Sequence, residues 1–155
     1  RKTVPASSRC STIVRNSAVN GGGAYFAAGA HQGLNCIVAF NQATDAAGTN
    51  NIASAVTVDF TYSCSPDLVD GEGNITADPL FVYPGSGYGT NAVLGDYVLR
   101  KDSPCVDAGI NLAWMTTTQT NDLAGDLRIL PVGGVVNMGA YELPIPMAGT
   151  VIVYR

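Results

Sequence analysis

Side chains able to do chemistry are few in this chain, and they do not gather. Glycoside cleavage needs two carboxyl groups facing each other across a cleft. The first part of the chain offers Asp45, in a loop, and Asp59, in a strand-like run whose alternation sets it opposite Val58, Phe60 and Tyr62 and so toward solvent. Polysaccharide elimination calls for a calcium-holding acidic cluster beside an Arg or Lys base, and Arg15 stands without one. Asp67, Asp70 and Glu72 form the densest acidic group. Their oxygens are spaced for Ca²⁺, but the EF-hand pattern is missing and the group reads as a solvated loop. His31 is the single histidine and lies in a turn, so no histidine pair can be built. Gly21-Gly22-Gly23 lacks the Gly-Lys-Ser/Thr ending of a phosphate loop. These residues predict no catalytic site and no cofactor, and they leave the metal question open. Tyr25, Tyr62, Tyr88 and Trp114 either pack in the core or stack on sugar rings from an exposed face.

Four cysteines, Cys10, Cys36, Cys64 and Cys105, are too far apart for the close ligand pairs of a zinc site. They read either as small buried residues or as a disulfide framework with three full connectivities. The single bridge with a local signal is Cys64 to Cys105, since both lie beside Ser and Pro in turn-like segments.

The elements that must position these residues are short strands. Residues 12–18 read TIVRNSA and residues 37–43 read IVAFNQA, so Asn16 and Asn41 recur 25 apart, as do Ala18 and Ala43. Each run ends at an asparagine and is followed by a glycine-rich or polar turn. A third run, Ala55–Tyr62, alternates with Val56, Val58, Phe60 and Tyr62 on one face. A repeat of about 25 residues built on short strands is the arithmetic of a solenoid, whose coils bury their apolar faces only by stacking. Stacking gives Asn16 and Asn41 a reason to recur, because their amides can bond along the stack. It also gives Gly21, Gly22 and Gly23 a corner role. Ala39–Ala47 is the best helical window, and it is interrupted by Asn, Thr and Asp. After Cys64 the period is lost. Tyr97–Leu99 and Val135–Tyr141 read as short strands, Asn121–Arg128 as a polar loop, and Thr150–Tyr154 as a β-prone tail.

Composition agrees. Charged residues are 13% of 155, about half the usual share. Gly is 18 and Asn 11, while Lys occurs twice. Coiled coils, collagen and disordered chains are excluded. A net charge of -4, with Arg1, Lys2, Arg9 and Arg15 as the only basic concentration, argues against nucleic acid as a partner. No run approaches the roughly 18 apolar residues of a membrane span.

Four closing strings carry a resemblance: Gly73–Val82 (GNITADPLFV), Gly95–Leu99 (GDYVL), Ser103–Gly109 (SPCVDAG) and Asn137–Glu142 (NMGAYE). In this order, after a Cys-x-x-x-x-Asn-x-Ala pattern and Gly-Gly-Gly, the chain resembles the C-terminal part of bacterial secreted or cell-surface right-handed parallel β-helix repeat proteins. More loosely it is similar to polymorphic outer-membrane proteins. The resemblance implies that Asp78, Pro79, Leu80 and Phe81 open a cap, and that Pro104, Cys105, Asp107 and Gly109 form a turn against the final coil. Asn121–Arg128 departs from the family's Asp-Leu-Asp-Gly-Asn-Pro-Arg pattern at Ala124 and Leu127, which weakens it as a cation site.

The expectation is therefore an all-β, right-handed parallel β-helix (β-solenoid) with an irregular C-terminal cap. Residues 1–65 form coils, 66–142 a closing region and cap, and 143–155 an extended tail. The expected role is a non-catalytic structural module, extracellular or at the cell surface. Its expected partners are further copies, through an open coil edge or the tail, or a polysaccharide. The alternative is the C-terminal part of a polysaccharide-degrading or polysaccharide-binding β-helix.

Overall fold

The computed structural model describes residues 6–117, 120–129 and 134–143. The first coil holds β1 (Ala6–Arg9), β2 (Thr12–Val14), β3 (Ser17–Ala18) and β4 (Ala24–Phe26). The second holds β5 (His31–Leu34), β6 (Ile37–Ala39), β7 (Gln42–Ala43) and β8 (Ile52–Ser54). A third begins with β9 (Val58–Thr61) and continues through Cys64. Every strand of the first coil pairs in parallel with its counterpart in the second, and β5 pairs onward with β9. Thr12, Ile13 and Val14 stack on Ile37, Val38 and Ala39. The chain is a right-handed parallel β-helix with an irregular C-terminal cap.

Strands of two to four residues cannot hold themselves, so the register must come from the corners and the core. The corners recur with the coils. Cys10, Asn35 and Tyr62 have φ of 47°, 54° and 47°, and Arg15 and Phe40 have 61° and 54°. Left-handed backbone is unfavourable for all of these except Asn, and it persists because the stacked strands on both sides impose it. At Tyr62 it ends the expected alternation. Val58 and Phe60 face one cluster, while Tyr62 turns and packs against another.

Two apolar clusters flank β6, which is buried on both sides. Inside the coils, Cys36, Val38, Ile52, Phe60 and Leu68 pack with Ile13, Phe26 and Val58. On the outer side of the same strand row, Ile37, Ala39 and Cys64 meet the cap residues Phe81, Leu99, Cys105 and Met138. The cap thus covers one flank of the stack. It contains an antiparallel pair, β10 (Phe81–Tyr83) and β11 (Asp96–Leu99), and a short helix, α1 (Ala113–Thr117).

Several local expectations are corrected. The described part of Val135–Tyr141 forms no strand; it lies as irregular chain against Cys105 and Asn35 through its Met138 and Gly139 amides. The only described α-helix is α1, and Ala39–Ala47 runs from β6 through β7 instead. The tail Thr150–Tyr154 lies outside the described residues.

Candidate functional site

The predicted asparagines meet. The Asn41 side-chain oxygen accepts from the Asn16 amide N–H at 3.0 Å and from the Asn16 side chain at 3.2 Å. The Asn41 side-chain nitrogen donates to the carbonyls of Ile13 (2.9 Å) and Ala39 (3.0 Å). The Asn41 backbone N–H in turn donates to the Asn51 side chain. Gly21 has a positive φ of 61°, whereas Gly22 and Gly23 are needed for space. A Cβ on Gly22 would run into the Gln42 and Asn50 carbonyls, and one on Gly23 would lie 2.7 Å from the Asn51 carbonyl oxygen.

The two ends of the stack differ. At the later end, Asp67 reaches back so that one carboxylate oxygen accepts from the N–H groups of Asn51 (2.9 Å) and Ile52 (2.7 Å), at the start of β8. Asn74 accepts from the Ser63 N–H and donates to the Phe60 carbonyl at 2.8 Å. Ile75 adds a last rung beside Cys64, and Leu68 is buried in the inner core. At the other end, each of β1 to β4 hydrogen-bonds one neighbouring strand only among the described residues. Two corners there are covered: the Gly89 N–H donates to the Arg15 carbonyl, and at the other Arg128 donates to the Cys10 carbonyl and the Ala140 N–H to the Thr12 hydroxyl. The Arg15 guanidinium holds the carbonyls of Pro84 and Gly85 and lies over the Phe40 and Tyr88 rings.

The acidic trio Asp67, Asp70 and Glu72 is thus not a cation site. Asp67 caps backbone, and Glu72 accepts from the Tyr62 hydroxyl at 2.8 Å, a bond that pushes the Tyr62 pKa up. No group of three His, Cys, Asp or Glu among the described residues could hold a metal ion.

A polar strip runs across the outer face of β1, β5 and β9. Ser7, Gln32 and Asp59 are in register, and Arg9, Leu34 and Thr61 form the next row. Together they line a recess of about 90 Å³. Asp59 is exposed, as expected, and Gln32 reaches it at 3.5 Å. Tyr25 is exposed on the first coil, and Tyr88 is engaged with Arg15.

In the cap, Asp78 accepts from the Leu80 N–H and the Pro79 carbonyl accepts from Ser103. Asp107 takes a positive φ of 51°, and its N–H donates to the Asn137 side chain. Gly109 is buried, and a Cβ there would lie 3.0 Å from the Asn35 side-chain oxygen. Asn35 itself exchanges two hydrogen bonds with the backbone of Ile110, which ties the cap to the second coil. Asn35 was not singled out by sequence, although it follows Cys10 at the same 25-residue interval as Asn41 follows Asn16.

The expected polar loop Asn121–Arg128 is partly interior. Arg128 and Glu142 form a buried ion pair at 3.1 Å, with side chains 8% and 2% exposed. Arg128 also donates to the carbonyls of Gly139, Ala140 and Cys10. Asp122 accepts three backbone N–H groups, those of Ala124, Asp126 and Glu142. Burial pushes the Glu142 carboxyl up to about 7, against the pull of Asn137 and Arg128.

All four cysteines are buried free thiols, so the expected Cys64–Cys105 bond is not formed. The pair does meet. The two thiols share one buried apolar cluster, and their mutual influence raises the Cys64 pKa and lowers that of Cys105. Burial raises Cys10 and Cys36. Catalytic cysteines sit in partly exposed, electropositive surroundings, whereas all four of these are buried.

No protein-family model, curated protein or solved structure matches the chain. The described residues form a repeating β fold without a catalytic or metal-binding cluster.

Proposed function

We propose that this chain is a structural module of an extracellular or cell-surface protein and that it self-associates through the free edge of its first coil. The observation that carries this reading is the asymmetry of the stack. The later end is closed by Asp67 and Asn74, whereas β1 and β4 keep one side free of strand partners among the described residues. An unpaired strand edge is a template for another chain. Contact of this edge with the same edge of a second copy would pair the two about a two-fold axis. The surface setting comes from the resemblance of the closing strings to bacterial surface β-helices.

Analytical ultracentrifugation across a concentration series tests this. The expected result is a species of twice the 16.0 kDa chain mass, returned to monomer by Tyr25→Lys, which places a charge on the outward side of β4. A monomer at every concentration overturns the reading, and long filaments overturn the two-fold pair.

A second reading rests on the polar strip. Ser7, Gln32 and Asp59 repeat at the inter-strand spacing of about 4.8 Å, which suits hydroxyl-rich chains. The strip binds a polysaccharide without cutting it. Affinity electrophoresis in polysaccharide gels should then show retardation that Gln32→Ala weakens severalfold. Unchanged mobility removes this reading, and release of new reducing ends would make the protein an enzyme.

A further inference from the structure

We propose that Cys64 and Cys105 are a closable dithiol, and that oxidation joins them into a disulfide stapling the third coil to the cap. The pair is placed for this from both sides. Cys64 belongs to the rung Ile37–Cys64–Ile75, and its backbone bonds to Cys36 and Val38 of the second coil. Cys105 lies in the turn 103–109, held by its N–H to the Ser103 hydroxyl and by its carbonyl to the Met138 N–H. Both side chains are 0% exposed in an apolar cluster that joins coils to cap. The groups acting on the Cys64 thiol are the Cys105 sulfur, the Asp78 carboxylate and the Ala77 carbonyl, to which it donates at 3.3 Å.

The other two cysteines lie in other apolar clusters. Cys36 points into the coil interior with Val38 and Phe60, and its thiol donates to the Leu34 carbonyl. Cys10 packs with Met115 and Val136.

The chemistry is thiol–disulfide exchange with a small disulfide oxidant such as oxidised glutathione. The Cys105 thiolate attacks one oxidant sulfur, breaking its S–S bond and releasing one glutathione thiolate. The Cys64 thiolate then attacks the Cys105 sulfur of the mixed disulfide and expels the second. The protein loses two electrons and two protons, and the protons end on the two glutathione thiols. With both sulfurs buried, the oxidant enters as the cap opens locally, so closure is slow and is speeded by mild denaturant.

The test uses the full chain, incubated with oxidised glutathione, alkylated and mapped by mass spectrometry without reduction. The expected result is a fall from four free thiols to two and a single linked peptide pair, Cys64 with Cys105. Tm should rise by roughly 5–10 °C and fall back with a reductant. Cys105→Ser should abolish both the link and the rise. Should that variant fold poorly, the peptide map of the unaltered chain decides alone. Persistence of four thiols in mild denaturant overturns the proposal, as does a link through Cys10 or Cys36.

Discussion

Asn41 shows what one side chain must do in a stack of such short strands. It is buried, and it serves two coils at once, accepting from Asn16 and donating to Ile13 and Ala39. Removing it leaves several backbone groups without partners in a place water does not reach. Asn41→Ala should therefore cost roughly 2–4 kcal/mol in denaturant unfolding. Asn50→Ala removes one exposed bond, to the Ala43 N–H, and should cost no more than about 1 kcal/mol. Equal losses at the two sites would mean that the asparagine contacts do not carry the register. Asn41 was legible in the sequence because its spacing repeats. Asn74 and Asp67 do comparable work at the closed end and were not legible, because they act once, at a position no repeat marks.

At the scale of elements, the turn after β3 sets how closely two coils approach. Gly22 and Gly23 lie where backbone from the next coil passes, so a methyl group there separates the coils. Gly22→Ala should lower stability by roughly 2–4 kcal/mol and weaken hydrogen-exchange protection in β3, β4, β7 and β8 together. Gly125→Ala is the control. Its φ of 97° strains any side chain, but nothing lies within 4 Å of its Cβ position, so its cost should stay near 1 kcal/mol. A larger loss at Gly125 than at Gly22 would contradict close packing as the reason for the glycine run. The corners behave differently from the glycines. They are turned by Cys10, Asn35 and Tyr62, of which only Asn35 is of a type that announces left-handed backbone. Neighbouring coils impose that conformation, which is why alternation placed Tyr62 on the wrong face.

Across the whole molecule, the cap and the first coil are joined by the Arg128–Glu142 pair, which touches Cys10, Gly139 and Ala140. The Glu142 carboxyl rises from 4.5 to about 7 on folding, chiefly through burial. Folded protein therefore binds a proton that unfolded protein has already released between these values. The favourable contribution is complete below 4.5 and is lost as pH rises through about 7. Unfolding free energy should fall by on the order of 2 kcal/mol across that window. Glu142→Gln, which cannot ionise, should flatten that part of the profile. Urea unfolding of both proteins at several pH values checks this, and an identical slope in the two would remove Glu142 as its source.

What the sequence determined by itself was the architecture. A 25-residue recurrence of short apolar runs ending in asparagine has one economical solution, parallel strands stacked in register, because a single coil cannot bury its own apolar face. It also marked Cys64 and Cys105 as neighbours in turn-like segments. Only the tertiary structure decided where the second half goes. Its residues carry no period, so nothing in their order says that Phe81, Leu99, Cys105 and Met138 converge on the outer face of β6. Only the tertiary structure, too, turned scattered polar residues into fixed parts. Asp67, Asn35, Asp122 and Glu142 look like surface residues in sequence, and each is drawn inward by backbone groups that the stack leaves unpaired.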